Sequence, residues 1–319
     1  MHAVDQRPSA VLLMGATATG KTALACALAD RYAFDLVSVD SALVYRGLDI
    51  GTAKPDAATL ARWPHRLIDI RDPAVPYSAA DFRRDALREM DEIGQRGRVP
   101  LLVGGTGLYF RALTRGLSEL PDASPELRAR IAGEAERMGW PALHDRLAAL
   151  DPESGARIRA GDAQRIQRAL EIIELTGKPL SEQIGGGARR PPWKFLKLAL
   201  VPEDRSRLHA RIEERFDTML AAGFLDEVRA LRQRSDHGPD LPALRAVGYR
   251  QAWEHLEGAA DAPTFRERAI FATRQLAKRQ TTWLRRELDA RWFDPDDSRS
   301  RSHVEDAVGR FLGANVAKS

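Results

Sequence analysis

The chain has 319 residues, of which 44% are apolar and 29% charged, as in an ordinary soluble globular protein of about two domains. The formal net charge is only +4, and only seven of the 49 basic residues are Lys, the rest being Arg. This excess of Arg fits either an anionic partner or a coding preference for Arg. One cysteine, Cys26, excludes a disulfide framework and a multi-cysteine metal site. No apolar run reaches the roughly 18–20 residues that cross a bilayer, and no signal peptide is recognisable, so we expect a cytoplasmic protein without a membrane partner.

Short apolar runs alternate with helical patterns in the first part of the chain. Ser78 and Asp81 form a capping box that begins one of these helices. Strands that are apolar throughout are typical of parallel sheets covered on both faces, and alternation with helices indicates βαβ units. The predicted strands are 10–14, 36–39, 66–70, 99–103 and 195–201.

The middle of the chain, residues 119–192, predicts an all-helical insertion into this α/β core. It has helical patterns at 125–138, 140–150 and 162–175, shows no convincing strand, and closes with a Gly- and Pro-rich linker at 185–192. We therefore expect 1–118 and 193–319 to form one core with C-terminal helices. Among those helices, one ends near Gly223, and a second capping box at Thr264 and Glu267 begins another that continues to about Leu288.

A phosphate-binding loop follows the first strand. Residues 15–22 match the full pattern GxxxxGK[ST] between a buried strand and a helix. The glycines let backbone N–H groups turn toward phosphate oxygens, the helix N-terminus adds positive potential, Lys21 supplies a charge, and the Thr22 hydroxyl can ligate Mg²⁺. The pattern predicts a P-loop NTPase-like parallel sheet flanked by helices. The residues predicted to bind a di- or triphosphate are Gly15, Ala16, Thr17, Ala18, Thr19, Gly20, Lys21 and Thr22.

The usual equipment for nucleotide hydrolysis is missing. Strand 99–103 leads into Gly104-Gly105-Thr106, where an ATPase or GTPase usually carries an Asp that holds Mg²⁺. An acid, Asp40, instead follows strand 36–39. Ligands bind at the carboxyl ends of parallel strands, so we expect Asp40, Thr106 and the phosphate loop to share one crevice. By position alone, two interpretations of Asp40 are equally good. It is either a functional carboxylate, as a general base or a group near Mg²⁺, or a structural one, as a helix N-cap or turn aspartate.

Several further segments resemble those of bacterial tRNA dimethylallyltransferases, also called tRNA isopentenyltransferases. The resemblance runs over nearly the whole chain, although the family's loop commonly reads GPTASGKT where this chain has Ala16 and Thr19, and some members carry Met at Gly107. No phosphate contact through the backbone, Lys21 or Thr22 is removed by these changes. The matching segments are DSALVYRGLDIGTAKP at 40–55, PHRLIDI at 64–70, YSAADFRRDA at 77–86, GGTGLY at 104–109, QRIQR at 164–168, RAVGYR at 245–250 and KRQTTWLR at 278–285.

The resemblance implies transfer of a dimethylallyl group from dimethylallyl diphosphate to N6 of adenosine 37, beside the anticodon of tRNA. The loop would hold the diphosphate with Mg²⁺ on Thr22, Asp40 would accept the N6 proton, and Thr106 would position the adenine or the bridging oxygen. The anticodon stem-loop is the implied partner. The implied tRNA contacts are Asp40, Ser41, Ala42, Leu43, Thr106, Arg128, Gln164, Arg165, Ile166, Gln167, Arg168, Arg245, Ala246, Val247, Gly248, Tyr249, Arg250, Lys278, Arg279, Gln280, Thr281, Thr282, Trp283, Leu284 and Arg285.

The residues alone leave alternatives open. Residues 274–286 hold five basic residues and no acid, with Trp283 among them, which suits single-stranded RNA, but a solvated helix face with a core tryptophan explains them too. On these features a P-loop small-molecule kinase, with the insertion as its lid, leads, and a non-catalytic RNA-binding protein is a third reading. The resemblance moves the prenyltransferase, expected as a monomer, to first place.

Overall fold

The computed structural model describes residues 7–184 and 190–313, which form two compact units. One unit combines the chain up to Thr114 with the chain from Pro192 onward, and the other is Arg115–Pro191. The insertion expected at 119–192 differs from this division by four residues at its start and one at its end. Of the predicted linker, residues 185–189 lie outside the described residues.

The first unit is built on a parallel sheet. Its strands lie in the order β3-β2-β4-β1-β5-β6. Pairing of Met14 and Val39 with Gly104, and of Gly15 with Leu200, brings the carboxyl ends of the four central strands to one edge. Within the described residues the six strands are β1 (Ser9–Gly15), β2 (Phe34–Val39), β3 (His65–Arg66), β4 (Val99–Gly104), β5 (Lys194–Leu200) and β6 (Arg291–Phe293).

Helices α5 to α9 make up the second unit, and the others belong to the first. Each of them in the described ranges is too short or too polar to span a bilayer. In chain order the helices are α1 (Lys21–Arg31), α2 (Ala57–Arg62), α3 (Ala79–Gln95), α4 (Gly107–Arg115), α5 (Pro125–Met138), α6 (Trp140–Leu150), α7 (Pro152–Arg157), α8 (Ala163–Thr176), α9 (Leu180–Gln183), α10 (Arg205–Ala221), α11 (Phe224–Arg232), α12 (Tyr249–Leu256), α13 (Ala262–Leu284) and α14 (Ser300–Leu312).

Hydrophobic cores cover both faces of the sheet because side chains alternate along each strand. Leu13 of β1 belongs to a core with Leu28 of α1 and Val304 of α14. Its neighbour Leu12 points to the opposite core, which includes Phe82 of α3 and also residues of α10 to α13. Burial on both faces explains why the strands are apolar throughout, and it leaves the carboxyl edge of the sheet as the place for polar chemistry.

Local patterns predicted most of these elements, with two errors. The capping box at Ser78 is present, and the strands expected at 10–14, 36–39, 99–103 and 195–201 are found. The strand expected at 66–70 ends at Arg66, because Leu67 and Asp69 adopt left-handed backbone conformations with φ of 64° and 57° that no strand accommodates.

The second predicted capping box is also wrong. Asp261 caps α13 by accepting the Thr264 N–H at 2.9 Å, so the helix begins at Ala262 and ends at Leu284 rather than Leu288. The sequence could not distinguish the two possible N-caps, because the side chains of both Asp261 and Thr264 can accept a backbone N–H group at a helix N-terminus.

In the second unit, a buried carboxylate organises the helices. Glu171 of α8 is fully buried and accepts the Ser124 N–H at 2.7 Å and the Nε–H of Arg128 at 3.0 Å. Arg168 donates to its other oxygen at 2.6 Å. The two arginines therefore neutralise a charge that would be costly to bury alone, and Arg128 joins α5 to α8.

A second buried acid in this unit, Asp151, caps α7. Its carboxylate accepts the N–H groups of Ser154 at 3.0 Å and Ser181 at 2.9 Å. Burial raises the pKa of Asp151, but these hydrogen bonds outweigh burial and lower the pKa to about 2. The ionised form therefore stabilises the folded unit above the pKa of about 4 that an unfolded Asp has, and the effect disappears as pH falls through the folded value.

We predict that Asp151→Asn lowers the free energy of unfolding of the helical unit by about 2 kcal/mol at pH 7 and by roughly half of that at pH 3. Urea unfolding followed by circular dichroism measures both values. The control is Asp145→Asn, an exposed acid on α6. A loss that is the same at both pH values, or absent, would contradict the assigned role of the carboxylate.

Candidate active site

A cavity of about 300 Å³ lies at the carboxyl edge of the sheet. Its wall includes Thr17 and Ala18 of the phosphate loop, Asp40 after β2 and Thr106 after β4. These are the residues expected to share a crevice, and the structure brings them together. The strand order places β4 between β1 and β2, so the loops that follow the three strands meet at one edge.

Two side chains of the phosphate loop donate hydrogen bonds to one backbone carbonyl of the same loop, which keeps the turn tight. The Thr19 hydroxyl donates to the Ala16 oxygen at 2.8 Å, and Lys21 Nζ donates to the same oxygen at 2.6 Å. Gly20, with φ of 77°, turns the chain into α1. A Cβ at Gly15 would lie 2.8 Å from Thr19 Oγ1 and 2.9 Å from the Leu200 oxygen, so this position admits no side chain.

Lys21 is held where its charge is poorly solvated. Burial lowers its pKa, the Asp40 carboxylate raises it, and the Arg215 guanidinium lowers it again, with a net pKa of about 8. An ordinary Lys has a pKa near 10.4, so an anion bound beside Lys21 would raise the pKa of Lys21 toward that value.

Asp40 has two structural roles, one in a turn and one in the cavity wall. Its Oδ1 accepts the N–H groups of Ala42 at 2.8 Å and Leu43 at 3.3 Å, which makes it a turn aspartate. The same carboxylate lines the cavity. The Thr106 hydroxyl accepts the Ser41 N–H at 3.2 Å, so the segment after β2 is tied to the segment after β4.

Sequence reasoning missed Arg215 of α10, which lines the cavity. Its Nη1 lies 3.4 Å from Thr17 Oγ1, and its Nη2 donates to the Thr52 carbonyl at 3.3 Å. Burial lowers the pKa of Arg215, whereas Asp40 raises it. Arg215 lies next to the apolar stripe of its helix, and no local sequence pattern marks it as functional. It could therefore not have been found without the tertiary structure.

Helix α13 closes one side of the site. The Gln280 side chain accepts the Thr17 N–H at 2.9 Å and donates to the Gly105 carbonyl at 3.2 Å. Trp283 packs on Gly107, where a Cβ would approach the indole to 2.3 Å, and stacks on Phe110. Trp283 is therefore a core contact, and its position explains why a Met side chain at 107 would require the ring to move.

Part of the segment at 245–250 also lines the cavity, namely Arg245, Ala246, Val247 and Gly248. Arg250 and Arg279 lie in an adjacent groove beside the exposed ring of Phe271. On α13 and just after it, Lys278, Arg279, Thr282 and Arg285 are exposed, and Thr281 is half-buried. Within the described residues no carboxylate pairs with Lys278, Arg279 or Arg285, so these cations are available to an anionic partner.

Besides Gly248 in the cavity wall, three residues named as tRNA contacts are buried, so their side chains present no surface to RNA in this structure. Ile166 and Leu284 belong to the cores of their units. Tyr249 is 1% exposed, and its hydroxyl donates to Glu227 at 2.5 Å. The tRNA contacts were named as whole segments that match the family. On a helix, however, only the side chains of the exposed face can contact a partner.

The named residues of the helical unit divide in the same way. Arg128 and Arg168 are engaged by Glu171, and the Gln167 amide donates to the Arg128 carbonyl at 2.9 Å. Gln164 and Arg165 are exposed at the start of α8. Gln164 and Arg165 are therefore the most exposed of this group, whereas Arg128 and Arg168 are half-buried and paired with Glu171.

Fold and site together define a P-loop α/β protein. Its cavity is lined by Arg215, Arg245 and Asp40, and β4 leads into Gly104-Gly105-Thr106 with no acid. Comparison with known proteins narrows this class. Residues 43–287 match the family described as IPP transferase, and residues 8–71 match the one described as isopentenyl transferase.

The tRNA dimethylallyltransferase of Alkalilimnicola ehrlichii is 61% identical over 314 residues, with 98% of both chains covered. That of Stenotrophomonas maltophilia is 59% identical over 315 residues, covering 97% of this chain and 99% of the relative. The full-length tRNA isopentenylpyrophosphate transferase of Bacillus halodurans superposes with a TM-score of 0.71 at 35% identity, over 96% of this chain and 97% of that one. The chain belongs to the tRNA dimethylallyltransferase family, whose members are prenyltransferases. The expected fold class, family and enzyme class are confirmed, and the kinase and non-catalytic readings fall away.

We predict that Lys21 is acetylated by acetic anhydride with a pH midpoint near 8, because its pKa is lowered, and that inorganic diphosphate raises this midpoint. Peptide mass spectrometry measures the midpoint, with total reaction at exposed Lys278 as the check that the reagent is active. A Lys21 midpoint near the ordinary lysine value of about 10.4 would contradict the lowered pKa.

Proposed function

We propose that this protein transfers the dimethylallyl group of dimethylallyl diphosphate to N6 of adenosine 37 in tRNA, next to the anticodon, giving N6-isopentenyladenosine and diphosphate. Relatives named tRNA dimethylallyltransferase over nearly the full chain support this proposal. The structural observation that carries it is one cavity in which the phosphate loop meets Asp40, while the strand beside the loop ends in Gly104-Gly105-Thr106.

The residues of the cavity suit a displacement at an allylic carbon. The bond from C1 of the allyl group to the diphosphate oxygen breaks, and C1 bonds to adenine N6. Lys21, Arg215 and the N–H groups of the loop would stabilise the charge that develops on the leaving diphosphate. N6 becomes positively charged as it bonds to carbon, so it must lose a proton, and Asp40 would accept that proton as the general base. The Thr106 hydroxyl would donate its hydrogen to the adenine or to the bridging oxygen.

Magnesium fits this site as an ion carried mainly by the substrate. Thr22 directly follows Lys21 at the start of α1 and is exposed, so its hydroxyl is accessible. Mg²⁺ commonly binds one or two protein oxygens and completes its shell with phosphate oxygens and water. We propose that Thr22 contributes such an oxygen. When bound, the ion would neutralise charge on the diphosphate.

The adenine must leave its stack to enter the cavity, which costs a few kcal/mol at most in a single-stranded anticodon loop. Arg245 in the cavity wall and exposed Lys278 and Arg285 would meet the RNA backbone. We propose a monomer as the active form. A tRNA substrate and a single cysteine support a cytoplasmic location.

The transfer itself is tested with purified protein, Mg²⁺, radiolabelled dimethylallyl diphosphate and unmodified tRNA. We expect label in the tRNA, and Asp40→Asn should lower kcat by about 10²- to 10⁴-fold, the usual contribution of a general base, with tRNA affinity unchanged. Asp91→Asn, an exposed acid on α3, is the control. Absence of label in tRNA, with phosphate transfer from ATP instead, would overturn the function. Near-normal kcat in Asp40→Asn would remove that residue from the role of base.

Lys278→Ala combined with Arg285→Ala should weaken tRNA binding and reduce its dependence on salt, because each phosphate contact adds about 0.7–0.9 to the slope of log K against log salt. We expect the slope to fall by about 1.5, measured by filter binding between 50 and 200 mM salt. The matched control removes two charges from α14, with Arg301→Ala and Arg310→Ala. An unchanged slope would show that the cations of α13 are only solvated.

A further inference from the structure

We propose that Glu227 of α11 is a positioning residue for the transfer reaction, which holds Arg215 over the phosphate loop by fixing the loop at residues 49–52. The inference rests on the proposed function for the identity of the reaction. Glu227 does not line the cavity, so it would act only through the residues that it holds.

The Glu227 carboxylate is surrounded by hydrogen-bond donors of this loop. Its Oε2 accepts the N–H groups of Asp49 at 2.9 Å and Ile50 at 2.7 Å, and its Oε1 accepts the Gly51 N–H at 3.1 Å. The Tyr249 hydroxyl donates to Oε1 as well. Three successive N–H groups around one anion form a concave nest, and hydrogen bonds to an ionised acceptor are the strong ones.

Packing fixes the same loop from the other side. A Cβ at Gly51 would lie 2.2 Å from the Phe224 ring and 2.7 Å from the Tyr249 ring, so the loop backbone rests directly on two buried aromatic rings. Burial and the negative charge of Glu227 raise the pKa of Tyr249 well above its ordinary value, so Tyr249 remains a donor. The carboxylate and the rings thus allow one position of the loop.

This position matters because the next residue reaches the active site. Gly51 and Thr52 line the cavity, and the Thr52 carbonyl accepts Nη2 of Arg215 at 3.3 Å. The other nitrogen of that guanidinium lies 3.4 Å from the Thr17 hydroxyl of the phosphate loop. A displaced Thr52 carbonyl would release the guanidinium from the place where the diphosphate would bind.

Glutamine cannot replace this carboxylate. Its amide has one accepting oxygen and one NH₂ group, so the NH₂ group would face either the N–H groups of Asp49 and Ile50 or the N–H group of Gly51. The side chain keeps its size, and the loop loses part of its anchor. The exposed cations of α13 are not involved, so the effect should fall on the prenyl donor and not on tRNA.

The experiment compares Glu227→Gln, Arg215→Ala and the double variant in the transfer assay. We expect Glu227→Gln to lower kcat/KM for dimethylallyl diphosphate by roughly 10- to 100-fold, as for loss of hydrogen bonds to a charged group, with tRNA affinity unchanged. If Glu227 acts through Arg215, Glu227→Gln added to Arg215→Ala should change the rate less than about threefold, because the two effects share one pathway. Asp226→Asn, an exposed acid next to Glu227 on the same helix, should behave as wild type.

Two further measurements separate the possible failures. Tyr249→Phe removes one donor and leaves the three N–H groups, so it should show a smaller effect of the same kind if Glu227→Gln does not fold. The affinity of each variant for inorganic diphosphate should change in the same order as kcat/KM, and this binding measurement does not require the transfer reaction. An inactive wild type would therefore overturn the proposed function, while diphosphate binding would still test the positioning role. Fully additive losses in the double variant, or an equal loss of tRNA affinity, would overturn the positioning role.

Discussion

The site depends on two half-buried cations, Lys21 and Arg215, and one carboxylate, Asp40, at the carboxyl edge of the sheet. Lys21 and Arg215 repel each other, and burial lowers the pKa of both. Asp40 offsets part of this cost because its charge raises both pKa values. The arrangement is most favourable when an anion with several negative charges joins the two cations, which is the charge that a leaving diphosphate develops.

The rest of the first unit serves to bring these groups together from distant parts of the chain. Lys21 follows β1, Asp40 follows β2, and Arg215 comes from a helix that follows the insertion. Close backbone approach makes this possible: Gly51 rests on aromatic rings, and Gly105 lies under the Gln280 amide. The Glu227 carboxylate on α11 and the Gln280 amide on α13 therefore fix, by hydrogen bonds, the loops at the carboxyl edge of the sheet. Their geometry links the two halves of the core that the insertion separates in sequence.

The sequence predicted those features that depend on short-range pattern. Apolar runs identified the central strands, the complete GxxxxGK[ST] pattern identified the phosphate loop, and the rule for parallel sheets placed Asp40 beside it. Arg215 and Glu227 were missed because their contacts join residues more than 150 positions apart, and no local spacing marks them. The burial of Tyr249, which was named as a tRNA contact, was missed because a resemblance in sequence does not tell which side of a helix is buried.

The assignment of Lys21, Arg215 and Asp40 to the transfer reaction is best tested by a structure of the protein with an anticodon stem-loop and a non-reactive thio-analogue of dimethylallyl diphosphate. It predicts the diphosphate on the loop beside Lys21 and Arg215, with C1 of the allyl group facing the adenine. It also predicts N6 of that adenine within about 2.6–3.2 Å of an Asp40 carboxylate oxygen. An adenine that remains stacked outside the cavity, or an N6 that faces a different group while Asp40 only caps its turn, would contradict the account.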